Sequence, residues 1–244
     1  MPANKQNSRT LAVNYLLKQI KCGAMRPGDK LTNERELSEQ LGISRVPLRE
    51  AICTLSTIGL LEAKQGNGTF VKGHDPSLLG KIIQTYGLFE RSLVEEVFEA
   101  RLLLEADAAE LAASNRTAAD LQRLEAALTA HEEALPLYYK NALDTQTMLA
   151  RDGEVHLGFA ACSHNNFLVQ IIESLRYATL SADLFNDRYT VNKQHFQESA
   201  AVHKAIYKAI AAQNPVQARS LMQNHIQNIR KALDIPKLLQ EENF

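Results

Sequence analysis

The stretch RDGEVHLGF carries Asp152 and His156 four residues apart, so on a helix both point to one side, together with Phe159. Two later histidines keep similar company. His203, in ESAAVHKAIYKAI, shares a stripe with Ile206, Tyr207 and Ile210, and His225, in SLMQNHIQNIRKAL, lies between Leu221 and Ile229. A carboxylate and three imidazoles admit a catalytic pair, a metal site, or polar residues tolerated in a core. A lone histidine on an apolar face is ordinarily a satisfied core residue. Three of them with a carboxylate on inward faces are harder to bury, because titratable groups without a shared partner are costly to desolvate. A divalent cation can be that partner, and one carboxylate plus three imidazoles leaves coordination positions open for water or an anion.

Positioning such residues requires helices, and the totals allow them. The 244 residues are 45% hydrophobic and 23% charged, the balance of an ordinary globular protein with room for two domains. Cys22, Cys53 and Cys162 are far apart and lack metal-site spacing; they read as reduced thiols, mostly core filler. No apolar run approaches the ~18 residues that span a bilayer, and the polar start MPANKQNSRT does not resemble a secretory signal. A cytoplasmic protein without membrane contact is therefore expected. The net charge of -1 conceals an asymmetry: residues 1–74 hold 11 Lys or Arg against 6 Asp or Glu, and the remainder holds 16 against 22. A basic module on an acidic body suggests a polyanionic partner for the first.

Along the chain, Leu11, Tyr15, Leu16 and Ile20 line one side of a helix over 9–22, and Gly23, Pro27 and Gly28 break it. Thr32 is placed to cap a second helix ending at Gly42, and Ser44 to cap a third that runs to Gly59 with Pro47 in its first turn. Two extended runs around Gly66-Asn67-Gly68 read as a hairpin. Helix, helix, short turn, helix and hairpin make a winged helix-turn-helix, whose last helix projects its N-terminal side chains into a major groove. GHDPSLLGK then reads as a linker. Helices are expected over 92–113, 117–134, 137–162, 165–186, 195–213 and 215–234, with a Thr117/Asp120 capping box and an Asn214-Pro215 start. The fold class is thus mainly α: a winged domain with a small β-hairpin, then an antiparallel bundle of six or seven helices able to enclose a ligand. The divisions are a disordered arm (1–8), the winged domain (9–73), a linker (74–84), an all-helical domain (85–235) and a tail (236–244).

The run RPGDKLTNERELSEQLGISRVPLREAICTLSTIGLLEAKQGNGTFV resembles the N-terminal domain of GntR-family bacterial transcription regulators, in its PG-x-x-L, ERELSEQLG, SR-x-x-LREA and G-x-GTFV pieces. The resemblance implies that Arg35, Arg45 and Arg49 contact DNA, that the Ser44 hydroxyl meets a phosphate, and that Gly66 approaches the minor groove. Val46 and Pro47 occupy positions that are more often polar in that family. On residue chemistry alone the arginines are also readable as solvated, with Arg35 and Glu39 an i,i+4 pair. The later half is similar to the FadR-type effector domain, often called FCD, with R-x-x-x-E, D-x-x-x-H and two further histidines. Its metal-binding branch implies Asp152, His156, His203 and His225 as ligands of one divalent ion per chain, zinc first, nickel or manganese otherwise. The same likeness places Arg101 against the carboxylate of a small organic or sugar acid, although an ion pair with Glu105 is the simpler role. It also implies a homodimer, and dimers of helix-turn-helix domains address two half-sites related by a two-fold axis, so a repressor on an inverted-repeat operator of double-stranded DNA, and no enzyme, is expected.

Two rivals follow from the residues. One is a metal-dependent hydrolase on a DNA-binding module, against which Glu154 faces away from its neighbours Asp152 and His156. The other is a metal that only braces the fold. The remaining histidines read blandly: His74 in the linker, His131 among glutamates on an exposed face, His164 in the turn SHNN, His195 at a helix start. Asn166 reads as a helix cap.

Overall fold

A computed structural model of the chain describes residues 7–73, 75–87, 93–180 and 193–232. It contains two compact units, divided between Leu78 and Leu79. Most of the expected arm, His74 and the tail lie outside the described residues.

The first unit begins with α1 (Ser8–Lys21), whose free N–H groups are met by Asn7: its Oδ1 accepts from Arg9 N at 3.1 Å. Helix α2 (Glu34–Leu41) is capped by Asn33, not Thr32, because the Asn33 Oδ1 accepts from Arg35 N at 2.9 Å. Gly42 closes it at φ 64, a left-handed backbone that glycine adopts without a Cβ clash. Helix α3 (Arg45–Thr57) follows after a three-residue turn. Strands β1 (Leu61–Lys64) and β2 (Gly68–Val71) pair antiparallel, from Leu61 opposite Val71 to Lys64 opposite Gly68. Leu16, Leu37, Leu48, Leu55, Leu61 and Val71 meet in one core, which fixes α3 by its inner face and leaves Arg45, Val46 and Arg49 exposed on the other.

Helix α4 (Pro76–Gly87) occupies most of the stretch 74–84 that reads as a linker, so the stretch is helical. Asp75 Oδ1 accepts from Ser77 N at 2.9 Å, and Pro76 opens the helix where its missing N–H costs nothing. This is the same start that Asn214-Pro215 makes later in the chain. From Leu79 on, where it belongs to the second unit, α4 lies so close to a later helix that a Cβ on Gly80 would stand 2.4 Å from Tyr177 Cδ1.

The rest of that unit comprises α5 (Leu93–Asn115), α6 (Ala118–Tyr139), α7 (Thr145–Ala161), α8 (Asn166–Leu180), α9 (Lys193–Ala211) and α10 (Pro215–Ala232). Helix α5 packs along α10, and α6 along α7. Phe98, Leu124, Val155, Phe159, Ile206, Met222 and Ile226 share their core. The Thr117/Asp120 capping box forms as expected. The break expected near residue 135 does not: α6 runs through Pro136, and the chain turns at 140–144 before Asp144 caps α7. Continuing the helix buries Tyr138 edge-on against Phe196 at 5.2 Å, and that burial offsets the backbone hydrogen bond proline forfeits. Asn166 is the first residue of α8, and Asn165 is its cap, accepting from Leu168 N at 3.1 Å. Of the cysteines only Cys162 is core; Cys22 and Cys53 are exposed. No described helix is long and apolar enough to cross a membrane.

Candidate metal centre and nucleic-acid interface

Helix α7 supplies Asp152 and His156 on successive turns of its buried face, α9 supplies His203, and α10 supplies His225. The three Nε2 atoms form a triangle: His156 to His203 3.2 Å, His203 to His225 3.0 Å, His225 to His156 3.2 Å. Asp152 stands just outside, with Oδ2 3.7 Å from His156 Nε2 and Oδ1 3.7 Å from His203 Nε2. The four residues, 73 positions apart in sequence at the extremes, converge because three helices turn polar residues inward among apolar neighbours, two from α7 and one each from α9 and α10.

The protons are accounted for around this triangle. Glu105 Oε2 lies 2.5 Å from His156 Nδ1 and accepts a hydrogen bond from its N–H, so the lone pair of His156 falls on Nε2. Burial pushes all three imidazoles below their ordinary range, His225 to about 3, which keeps them neutral. His203 Nδ1 has no hydrogen-bond partner among the described residues. Neutral rings have too few N–H groups to satisfy three mutually facing nitrogens. A divalent ion does what protons cannot: ligand nitrogens ~2.0–2.1 Å from one ion stand about 2.9–3.4 Å apart, and the observed spacings fall in that range. The donor set therefore fits a metal.

Two guanidiniums and two carboxylates surround the triangle. Arg101 Nε donates to Glu105 Oε1 at 2.7 Å and its guanidinium stacks on Phe98, 5.0 Å from the ring centroid. The ion pair with Glu105 is thus present, inside the same buried cluster as the histidines. Arg176 Nη2 donates to Asp152 Oδ2 at 2.9 Å, and its Nη1 is 4.0 Å from Glu105 Oε2. Burial opposes ionisation of Asp152, yet the guanidinium of Arg176, with His156 and His203 wherever those rings carry a proton, holds its carboxyl well below the usual range. Glu105 is held low likewise, burial being outweighed by Arg101, His156 and Arg176.

His131 corrects the sequence reading. It is fully buried, packs edge-on against His203 at 5.4 Å, and brings Nε2 to 4.0 Å from Asp152 Oδ1. The flanking glutamates Glu132 and Glu133 obscure the decisive pattern, which is Leu124, Leu128, His131, Leu135 and Tyr138 on one helical stripe. Arg176 carries a comparable signal, a charge following Ile172 by one turn in the apolar run of α8. Glu154 is exposed and pairs with Arg151 at 2.8 Å, as its place on the helix requires. His164 adopts φ 58 and reaches Asp120 Oδ2 at 2.8 Å; His195 lies 3.4 Å from Ser199 Oγ. Substituting Glu105 by Gln is expected to lower metal affinity about 10–100-fold by withdrawing the carboxylate behind His156. Competition against a chromophoric chelator measures this, and unchanged affinity would reduce Glu105 to a packing residue.

In the first unit, Ser44 precedes α3 in extended conformation, exposed, and its side chain makes no capping hydrogen bond. Arg45 and Arg49 stand one turn apart on the exposed face, with Val46 66% exposed beside them. Both arginines reach one carboxylate: Glu34 Oε2 accepts from Arg49 Nε at 2.7 Å and from Arg45 Nη2 at 3.4 Å. Sequence reading did not single out Glu34. The hydrogen bond from Arg49 holds its carboxyl below the usual value. Arg35 pairs with Glu39 at 3.7 Å on the solvent side of α2. Gly66 turns the wing at φ 72.

Residues 10–71 match the sequence profile of bacterial regulatory proteins of the gntR family, and residues 96–228 match that of the FCD domain. The chain is a GntR-family transcriptional regulator. Among relatives of this GntR-family protein, the HTH-type transcriptional regulator LutR of Bacillus subtilis is 32% identical over 221 residues, covering 88% of this chain and 95% of LutR. The Uxu operon regulator of Haemophilus influenzae is 31% identical over 236 residues, 94% of this chain and 84% of its own. Among solved structures, Streptococcus agalactiae GntR superposes with a TM-score of 0.70 at 29% identity, covering 92% of this chain and 99% of that one. These relatives are regulators and not enzymes, so the hydrolase reading falls.

Proposed function

We propose that this GntR-family regulator binds an inverted-repeat DNA operator as a homodimer and represses transcription, in the cytoplasm, until a small organic or sugar acid enters the helical unit. Arg45 and Arg49 read base edges, where each bidentate pair with guanine contributes about 1–3 kcal/mol of discrimination. Arg35, the Ser44 hydroxyl and Gly66 set register on the backbone and in the minor groove. Asp152, His156, His203 and His225 hold one divalent ion, zinc in preference to nickel or manganese.

The single observation that carries the effector half of this reading is the triangle of neutral Nε2 atoms 3.0–3.2 Å apart, with Glu105 fixing the tautomer behind it. Charge counting supplies the ligand class. Arg101 and Arg176 are balanced by Glu105 and Asp152, so a divalent ion adds two positive charges that a buried site tolerates only with an anion beside it. The ion would supply a Lewis-acid attachment point for carboxylate and hydroxyl oxygens. Arg101 is placed to orient the far end of the acid, while Arg176 holds Asp152. An acid bound there alters DNA affinity by favouring one arrangement of the winged domains over another.

The test has two arms. A duplex selected by the wild-type chain from a random library should bind Arg45→Ala and Arg49→Ala at least tenfold more weakly, the variants remaining folded by circular dichroism. A thermal-shift screen of hydroxy and sugar acids on the zinc-loaded chain should yield an acid that stabilises it and changes operator affinity about 5–150-fold. Intact affinity in both arginine variants sinks the DNA assignment. Stabilisation by zinc with no acid affecting DNA binding makes the metal a brace.

A further inference from the structure

The wing of the first unit carries a feature outside the DNA contacts proposed above. Lys64, on β1, holds its Nζ 5.2 Å from the centroid of the Phe70 ring, and Lys30 holds its Nζ 6.0 Å from the same ring. Lys30 comes from the connection between α1 and α2 and joins the hairpin through a backbone bridge to Phe70. Leu31 N donates to Thr69 O at 2.7 Å and Val71 N to Asp29 O at 2.8 Å, so the segment runs alongside β2 as a third extended stretch. Its side chain then crosses the wing backbone at Gly68, where an added Cβ would meet Lys30 Cε at 2.7 Å. Gly68, at φ 103, is thus required twice: for the turn and for the passage of the lysine stem.

We infer that Lys30 and Lys64, gathered on Phe70, form a phosphate clamp by which the wing grips the DNA backbone beside the groove that α3 enters. This rests on the DNA-binding role of the first unit. Both side chains are exposed, on a unit with an excess of basic residues. A π-face attracts an ammonium without neutralising it or consuming its N–H donors, so the ring restrains the two charges and leaves them able to bind. An exposed lysine on a free stem must lose rotamer entropy on reaching a phosphate; here the ring and Gly68 have already restricted it. The two lysines are unequal. Lys64 also faces Glu62 at 3.6 Å, whereas Lys30 makes no ion pair among the described residues, so Lys30 carries the larger share.

Salt dependence tests this directly, because each phosphate neutralised contributes about 0.9 to the slope of log K against log salt. The full chain is titrated by fluorescence anisotropy against a 30-bp duplex selected by the wild type from a random library, and against a random duplex, from ~50 to ~200 mM salt. Lys30→Gln is expected to lower the slope by about 0.9 per protomer bound on both duplexes, and Lys64→Gln by less. Phe70→Leu keeps both charges; it should weaken binding about two- to fivefold with little change in slope. Arg45→Ala is the control for the domain as a whole. If wild type binds the selected duplex, Arg45→Ala does not, and the Lys30→Gln, Lys64→Gln double variant keeps the wild-type slope, the clamp is overturned and the reading helix stands. If wild type shows no salt-dependent binding, both fall together.

Discussion

Replacing His156 and His225 together by alanine is expected to reduce bound divalent metal from about one ion per chain to less than a tenth of that, measured by elemental analysis after dialysis. The size of the effect follows from the geometry. Two of the three nitrogens in the triangle disappear, and the remaining His203 and Asp152 Oδ1, 3.7 Å apart, make at best a weak site. Stability supplies an independent readout. An ion present at ~1,000 times its dissociation constant stabilises the fold by about 4 kcal/mol, so a chelator should lower the melting temperature of wild type and leave that of the double variant unchanged. Equal ion content in the two proteins would return these histidines to the core.

Acid is expected to unfold the metal-free helical unit well above the usual range for carboxylate protonation. His131, His156, His203 and His225 are all pushed by burial below their ordinary range, His225 to about 3. A histidine whose folded value is depressed binds fewer protons folded than unfolded, so stability is greatest above the unfolded value near 6.5 and falls as pH drops toward the folded value. For His225, held to about 3, the cost is ~1.4 kcal/mol one pH unit below the unfolded value. His131, His156 and His203 add to it in the same direction, against the ~5–15 kcal/mol that holds a domain together. Asp152 and Glu105, held low when folded, act in the same direction at lower pH. Melting curves in chelator between pH 7.5 and 5 measure this, and His203→Gln should flatten the dependence. A melting temperature constant across that window would show that the cluster takes up protons in the folded state.

Both expectations rest on residues that differ in how readable they were. Asp152, His156, His203 and His225 stand out because each interrupts an apolar stripe of helical period, and that period is a local property. His131 lies on such a stripe too, but adjacent glutamates make its neighbourhood look solvated, and only the packing of α6 on α7 and α9 decides which face is inside. Glu105 reads as an ion-pair partner for Arg101, which it is; that its other oxygen meets His156 depends on α5 crossing α7. Glu34 is invisible as a partner of Arg45 and Arg49 until the turn at Gly42 sets the angle between α2 and α3.

By itself the sequence determined the helices and hairpin, their order, and the four residues worth suspecting, because capping, turn chemistry and periodicity act over a few residues. It could have disclosed α4 as well, since Asp75-Pro76 starts a helix as Asn214-Pro215 does. The tertiary structure alone decided that three histidines from α7, α9 and α10 face one point, that Arg176 and Glu105 close around them, and that Lys30 lies against the wing. Those contacts join residues 22 to 69 positions apart. Which helix faces meet at such distances is set by the burial of whole cores and by no pattern a short window can hold.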